Sequence, residues 1–173
     1  MLFNNFLIRE AKPVEFDTIN HLVSQNNETV FLSDLPTHEY VNRVRNDFRY
    51  VPNLELVAEK EGDIVGHVIF SKADLMASNG NKYPVLFVDP LSVRRVNRHP
   101  GVGHALVNNG AEMAKGMGFK AIFLYGNLDY FHNLGFAQAS RWNIVHEGLD
   151  ADSFLVKEIE RHSLSEISGS LLV

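Results

Sequence analysis

Residues 97–110 read NRHPGVGHALVNNG. A proline and two glycines spaced two apart stand just before apolar residues at helical spacing. Pro100 pre-sets φ for a first helical turn. Leu106, Gly110, Met113, Ala114 and Met117 fall on one face, which predicts a helix from about Gly101 to Met117. Gly118 followed by Phe119 supplies a glycine stop with an apolar residue beyond it. A helix start presents unpaired backbone N–H groups and the positive end of the dipole. Arg94, Arg95 and Arg98 surround this one in a chain of net charge −5. The stretch therefore reads as a phosphate cradle, and also as close helix–strand packing at Gly101 and Gly103. It is not the dinucleotide fingerprint, because Leu106 holds the place of the third glycine. Nor is it a P-loop, because no Gly-Lys-Ser/Thr follows.

Outward from this stretch, the period changes. YPVLFVDPLSV, just upstream, reads as a strand. Pro90 cannot donate to a ladder, so that strand is expected at an edge, bulged or ending there. LELVAEKEGDIVGHVIFSKADL reads as a hairpin turning at Glu61, Gly62 and Asp63. Before it lie a strand over Phe6 to Ala11, a helix opening at Pro13, and a second helix from Thr37 to about Phe48, with a polar loop over 24–36. Downstream, AIFLY is a short buried strand, Asn127 caps a short helix that Gly135 ends, and a last strand runs from about Ser153 to Ile159. The order β α α β β β α β α β predicts a mixed α/β sheet with helices on both faces. It forms one domain over about 1–160, with a tail over 161–173 that adds an edge strand or hangs loose.

Composition narrows the function. Sixteen Lys and Arg against 21 Asp and Glu argue against nonspecific nucleic-acid binding. The absence of cysteine removes disulfides, zinc–thiolate sites and a cysteine nucleophile, and fits a cytoplasmic protein. MLFNNFLIRE lacks the basic start and continuous apolar run of a signal peptide, and no run approaches a membrane span. No pair of histidines has metal-helix spacing, so no metal is expected.

Arg98-x-x-Gly101-x-Gly103, preceded by the strand end LSV (91–93), resembles the acyl-coenzyme A signature Q/R-x-x-G-x-G/A of the GNAT N-acetyltransferases. YFHNLGF (130–136) is similar to that family's later Y-x-x-x-G-F element, and LYGNLDYFHNLGF to its YhbS-like members. AEKEGDIVGHVIFS resembles their central hairpin. The resemblance covers roughly residues 6–160. It implies the acyl-CoA N-acyltransferase fold, with a splay between the fourth and fifth strands that would account for Pro90. It implies acetyl-CoA as donor and a small-molecule or protein amine as acceptor, with no nucleic acid or membrane partner. Homodimers are common in the family. It further implies a donor site at Leu91, Ser92, Val93, Arg98, His99, Pro100, Gly101, Val102, Gly103 and His104, with Asn127 and Phe131 from the later element. Two departures stand out: His99-Pro100 inside the loop, and Phe131 where the family's usual tyrosine falls, with Tyr130 one position earlier.

Direct attack on a thioester needs a neutral amine. Deprotonating an amine of pKa about 10.4 at pH 7 costs roughly 4–5 kcal/mol, whereas protonating a thiolate of pKa about 8.5 is worth only about 2 kcal/mol. The base is thus the larger demand. Asp89, just before Leu91, is the first candidate, acting through water or raised by burial. It competes with a role capping the bulge at Pro90. His67 on the hairpin comes second. Tyr130 is the first candidate acid and Tyr125 the next, while His132, and His38 with Glu39, read more readily as solvated surface. Backbone N–H groups of Leu91 to Val93 would polarise the carbonyl. The other reading is a catalytically weak acyl-CoA-binding regulatory protein, suggested by Phe131.

Overall fold

The computed structural model describes residues 5–27, 29, 35–98 and 101–172. His99 and Pro100, both assigned to the cradle, lie outside the described residues, as does part of the loop over 24–36. The elements are β1 (Leu7–Glu10), α1 (Phe16–Gln25), α2 (Thr37–Asn46), β2 (Tyr50–Lys60), β3 (Asp63–Ala77), β4 (Lys82–Val93), α3 (Val102–Gly116), β5 (Ala121–Tyr125), α4 (Leu128–Phe131), β6 (Ala137–Gln138), β7 (Ile144–Val145), β8 (Phe154–Glu158) and β9 (Gly169–Leu172). They form a single sheet in the order β1-β2-β3-β4-β5-β8-β6, with β9 pairing both β3 and β7. All pairs are antiparallel except β4–β5 and β7–β9.

Three packed regions hold this sheet. α3 covers one face, where Val102, Leu106, Val107, Ala111 and Ala114 meet Leu86, Val88, Leu91 and Val93 of β4. On the other face, α1 and α2 pack Ile19, Val23, Tyr40 and Val41 against Val57, Ile64 and Ile69. Farther along that same face, Phe87, Phe123, Tyr125 and Phe154 are closed in by Ile144, Leu164 and Leu171. Alternation along each strand separates the faces: on β4, Val88 and Leu91 point to α3, and Phe87 points away.

Some expectations are corrected. α2 stops at Asn46, so Phe48 leaves the helical stripe and stands 90% exposed. Pro36, not Thr37, occupies the N-cap of α2. Met117 lies beyond the last turn of α3 and is exposed, while Val107 and Ala111 complete the buried face. β4 is a central strand, and of the alternatives expected for Pro90 it takes the bulge. The register passes from Val68↔Leu91 to Phe70↔Val88, so Asp89 and Pro90 together oppose Ile69 in a bulge.

Candidate active site

The bulge has a consequence for the neighbouring strand. β4 and β5 pair only at Leu86↔Ile122 and Phe87↔Phe123, and beyond Phe87 the two parallel strands part. On the β3 side the ladder continues, with the Arg94 N–H donating to the Val65 carbonyl at 2.8 Å. Antiparallel alternation then directs the Ser92 amide to His67 and turns the Leu91 and Val93 amides toward the gap left by β5. The chain after α1 lines the same gap, Asn27 bridging to Ser92 and Thr29 to Gly126. Asn26 anchors this approach: its amide Nδ2 donates to the Leu22 carbonyl at 3.1 Å, and its Oδ1 accepts the Arg95 N–H at 3.1 Å.

At the end of the β4 arm stands the start of α3. Gly101 is its N-cap in the left-handed region, φ 84°, a conformation that favours glycine. Gly103 is needed for a different reason, because a Cβ there would lie 2.8 Å from the Tyr130 hydroxyl. The first turn is thus bare backbone, with Val102 buried beneath it and His104 exposed on its outer side. Of the three arginines, Arg94 turns away, its guanidinium donating to the Ile64 carbonyl at 3.1 Å and lying 4.0 Å from Asp63. Arg95 is exposed, and Arg98 is half-buried on the loop leading to Gly101.

The later element divides in two. Tyr130 is half-buried, with its hydroxyl beside Gly103 and its ring edge-on to Phe131 at 4.9 Å. Phe131 is fully buried, pressed against Gly126 and against the Phe136 ring at 5.7 Å. Its ring packs the core, and the hydroxyl at the helix start belongs to Tyr130. Asn127 caps α4, its Oδ1 accepting the Asp129 N–H at 2.8 Å.

Asp89 is 8% exposed, and its Oδ1 has no hydrogen-bond partner among the described residues. Burial pushes its carboxyl well above the usual carboxylate range. Counting from Val88, its side chain falls on the face away from α3, shared with Phe87 and Ser92. Among the described residues the buried Ser92 hydroxyl also has no partner there, nor has the Tyr125 hydroxyl at the end of β5. Burial, then the Asp150 carboxylate, raises the Tyr125 phenol. Its ring lies 5.7 Å from that of His146. His132 is exposed, and His38 pairs only loosely with Glu39, at 3.9 Å, beside the polar groove between α1 and α2.

A polar cluster behind Ser92 was missed in the sequence reading. His67 and Glu55 are both fully buried, and His67 Nε2 meets Glu55 Oε1 at 2.8 Å. Arg45 from α2 donates its Nη2 and Nε to the same oxygen at 2.7 and 3.0 Å, and the Tyr50 hydroxyl donates to the other. Arg45 Nη1 also reaches Asn20 Oδ1 at 2.8 Å. Burial alone would raise Glu55, but hydrogen bonds from His67, Arg45 and Tyr50 outweigh it and hold the carboxyl at about 2. Burial lowers His67, opposed by Glu55. One signal was available: a glutamate inside the apolar run LELVA, on the inward-facing parity.

A mixed sheet split between two parallel strands, with a bare helix start on one arm, defines the acyl-CoA N-acyltransferase class of fold. The sequence pattern of the acetyltransferase (GNAT) family matches residues 17–139, and the chain belongs to that family. A curated relative, the uncharacterized N-acetyltransferase YjhQ of Escherichia coli (strain K12), is 33% identical over 86 residues. That match covers 49% of this chain and about half, 46%, of the relative. Among solved structures, the GNAT family N-acetyltransferase YhbS from Escherichia coli in complex with CoA superposes with a TM-score of 0.81 at 24% identity, over 96% of this chain and 88% of that one. A GNAT family acetyltransferase from Brucella melitensis in complex with acetyl-CoA gives 0.69 at 22% identity, over 97% and 95%. Among the described residues, no helix is long and apolar enough to cross a membrane, and no group of three His, Asp or Glu side chains is placed to hold a metal ion.

Proposed function

We propose that the protein transfers an acetyl group from acetyl-CoA to a primary amine of a small molecule or protein by direct attack. The observation that carries this reading is the gap between β4 and β5, with Leu91 and Val93 amides turned into it and the Gly101 turn at its end. The bare first turn of α3, residues Gly101, Val102, Gly103 and His104 with Arg98 before it, suits the diphosphate of the donor. Ser92 contributes through its backbone between the two gap-facing amides. Asn127 and Phe131 act indirectly in this reading, by setting the helix that carries Tyr130. His99 and Pro100 complete the loop in sequence.

Asp89 is the base, a buried carboxyl on the acceptor face whose raised affinity for a proton suits deprotonation of an amine better than an ordinary aspartate would. The Leu91 and Val93 amides polarise the thioester carbonyl. The amine nitrogen attacks that carbon, the C–S bond breaks, and the departing thiolate takes a proton from Tyr130. The hydroxyl expected from Phe131's position is thus supplied one residue earlier, which removes the motive for a binding-only protein.

A panel of amines assayed for thiol release from acetyl-CoA tests the reading. At least one amine should raise release well above hydrolysis. Tight acetyl-CoA binding with no amine active would leave a binding protein.

A further inference from the structure

His67 is held as a base whose second ring nitrogen has no partner among the described residues. Glu55 is anionic and fixed by Arg45 and Tyr50, so His67 must present its proton at Nε2 to that carboxylate. Its other ring nitrogen, Nδ1, is therefore the lone-pair side. That atom is buried with no partner among the described residues. His67 and Ser92 are direct cross-strand partners, so their side chains share one face at a Cβ separation of about 5 Å. Among the described residues the buried Ser92 hydroxyl has no partner, nor has Oδ1 of Asp89, in the bulge just before it. Three unsatisfied polar atoms thus stand in sequence from the gap to an imidazole backed by a buried carboxylate. Groups of this kind are rare in native interiors.

We propose that His67 is the sink for the acceptor's proton, reached from Asp89 through the hydroxyl of Ser92, with water bridging the steps on either side of that hydroxyl. The proposal rests on the acetyltransferase reading for the origin of that proton. Asp89 takes the proton from the attacking nitrogen and gives it to Ser92 Oγ, while the hydroxyl proton of Ser92 moves to His67 Nδ1. Asp89 returns to carboxylate, Ser92 remains a hydroxyl, and the new imidazolium is paired with Glu55. His67 does not touch the substrate, so it is a positioning residue acting through Asp89. Burial drives Asp89 up and His67 down from their ordinary values, while Glu55 favours the charged form of His67. The charged or titratable groups facing this path include Asp89 on β4, Glu55 and Tyr50 on β2, Tyr40 and Arg45 on α2, and Tyr125 on β5; α1 contributes the neutral Asn20.

The test uses the full chain and Ser92→Ala, which keeps the backbone amides and removes a hydroxyl with no hydrogen-bond partner among the described residues, so stability should hold. In the free protein, nitrogen-15 NMR of the imidazoles should find His67 protonated at Nε2. Its Nδ1 resonance and titration midpoint should move in both Ser92→Ala and Asp89→Asn. A His67 signal unchanged in both variants overturns the relay. In turnover with acetyl-CoA and the best amine of the panel, Ser92→Ala should lower kcat about 10- to 100-fold. It should also shift the acid limb of the pH profile and leave the acetyl-CoA Kd unchanged. An unaltered kcat and profile would also overturn it. If no amine supports turnover, the acetyltransferase reading fails, while the resonance experiment still decides whether His67 senses Asp89.

Discussion

Replacing Glu55 by glutamine keeps the side chain's size and removes its charge from a site with no solvent contact. Arg45, whose side chain is 6% exposed, then holds a guanidinium in the interior with no carboxylate beside it. Breaking a buried pair from one side typically costs about 3–5 kcal/mol, because the surviving charge keeps its desolvation penalty. An independent route gives the same scale: lowering a carboxyl from 4.5 to about 2 is worth on the order of 3 kcal/mol. Against a total stability of about 5–15 kcal/mol, this is a large fraction. Urea unfolding at pH 7 should show the Glu55→Gln midpoint falling accordingly at unchanged slope. A loss below about 1 kcal/mol would refute the reasoning, since it would mean that Arg45 finds water or another partner as readily as Glu55.

Other outcomes follow from the same geometry. Glu55 is depressed on folding, so its stabilisation is complete above the unfolded value of 4.5 and fades as pH falls toward about 2. His67 is depressed from 6.5, so its contribution also fades on acidification, starting higher. Wild-type stability should therefore decline from about pH 6.5 downward, and below about pH 4.5 Glu55→Gln should decline less steeply; parallel curves in that lower range would contradict this. Gly110→Ala places a Cβ 2.2 Å from the fully buried Phe70 ring, so overpacking of about 1–3 kcal/mol should exceed the helix-propensity gain of about 1 kcal/mol, and a raised Tm would show that the ring yields freely. Asp89→Asn should leave stability equal or higher and reduce turnover about 10²–10⁴-fold with acetyl-CoA binding retained; full activity would remove Asp89 as the base.

The fold was readable because local patterns agreed with one another. The hairpin turn at Glu61 and Gly62, the helical stripe through Leu106 and Ala114, and the proline in YPVLFVDPLSV each predicted a feature that the structure contains. Phe48 was misplaced because spacing alone does not tell where a helix stops, and Asp47 already has extended backbone. The proposed cradle and Asp89 lie in one contiguous stretch, 89–104, so they could be put forward together from the sequence alone. The Arg45–Glu55–His67 cluster could not, because it joins α2, β2 and β3, and local spacing does not show which side of the hairpin α2 packs on. The same holds for Asn27 and Thr29, whose approach to Ser92 and Gly126 depends on where the chain goes after α1. Tyr130 and Phe131 show a finer limit: adjacent residues on one helical turn, one aimed at Gly103 and the other at the core, which motif spacing does not separate.

The central claim is that the gap between β4 and β5, closed by the bare start of α3, holds acetyl-CoA. Calorimetric titration of the full chain with acetyl-CoA measures this directly, with Gly103→Asp as the control that brings a negative side chain to the helix start. The account predicts one-to-one binding at micromolar strength in the wild type and its loss in a folded Gly103→Asp variant. Absence of binding in the wild type, or equal binding in the variant, would contradict it.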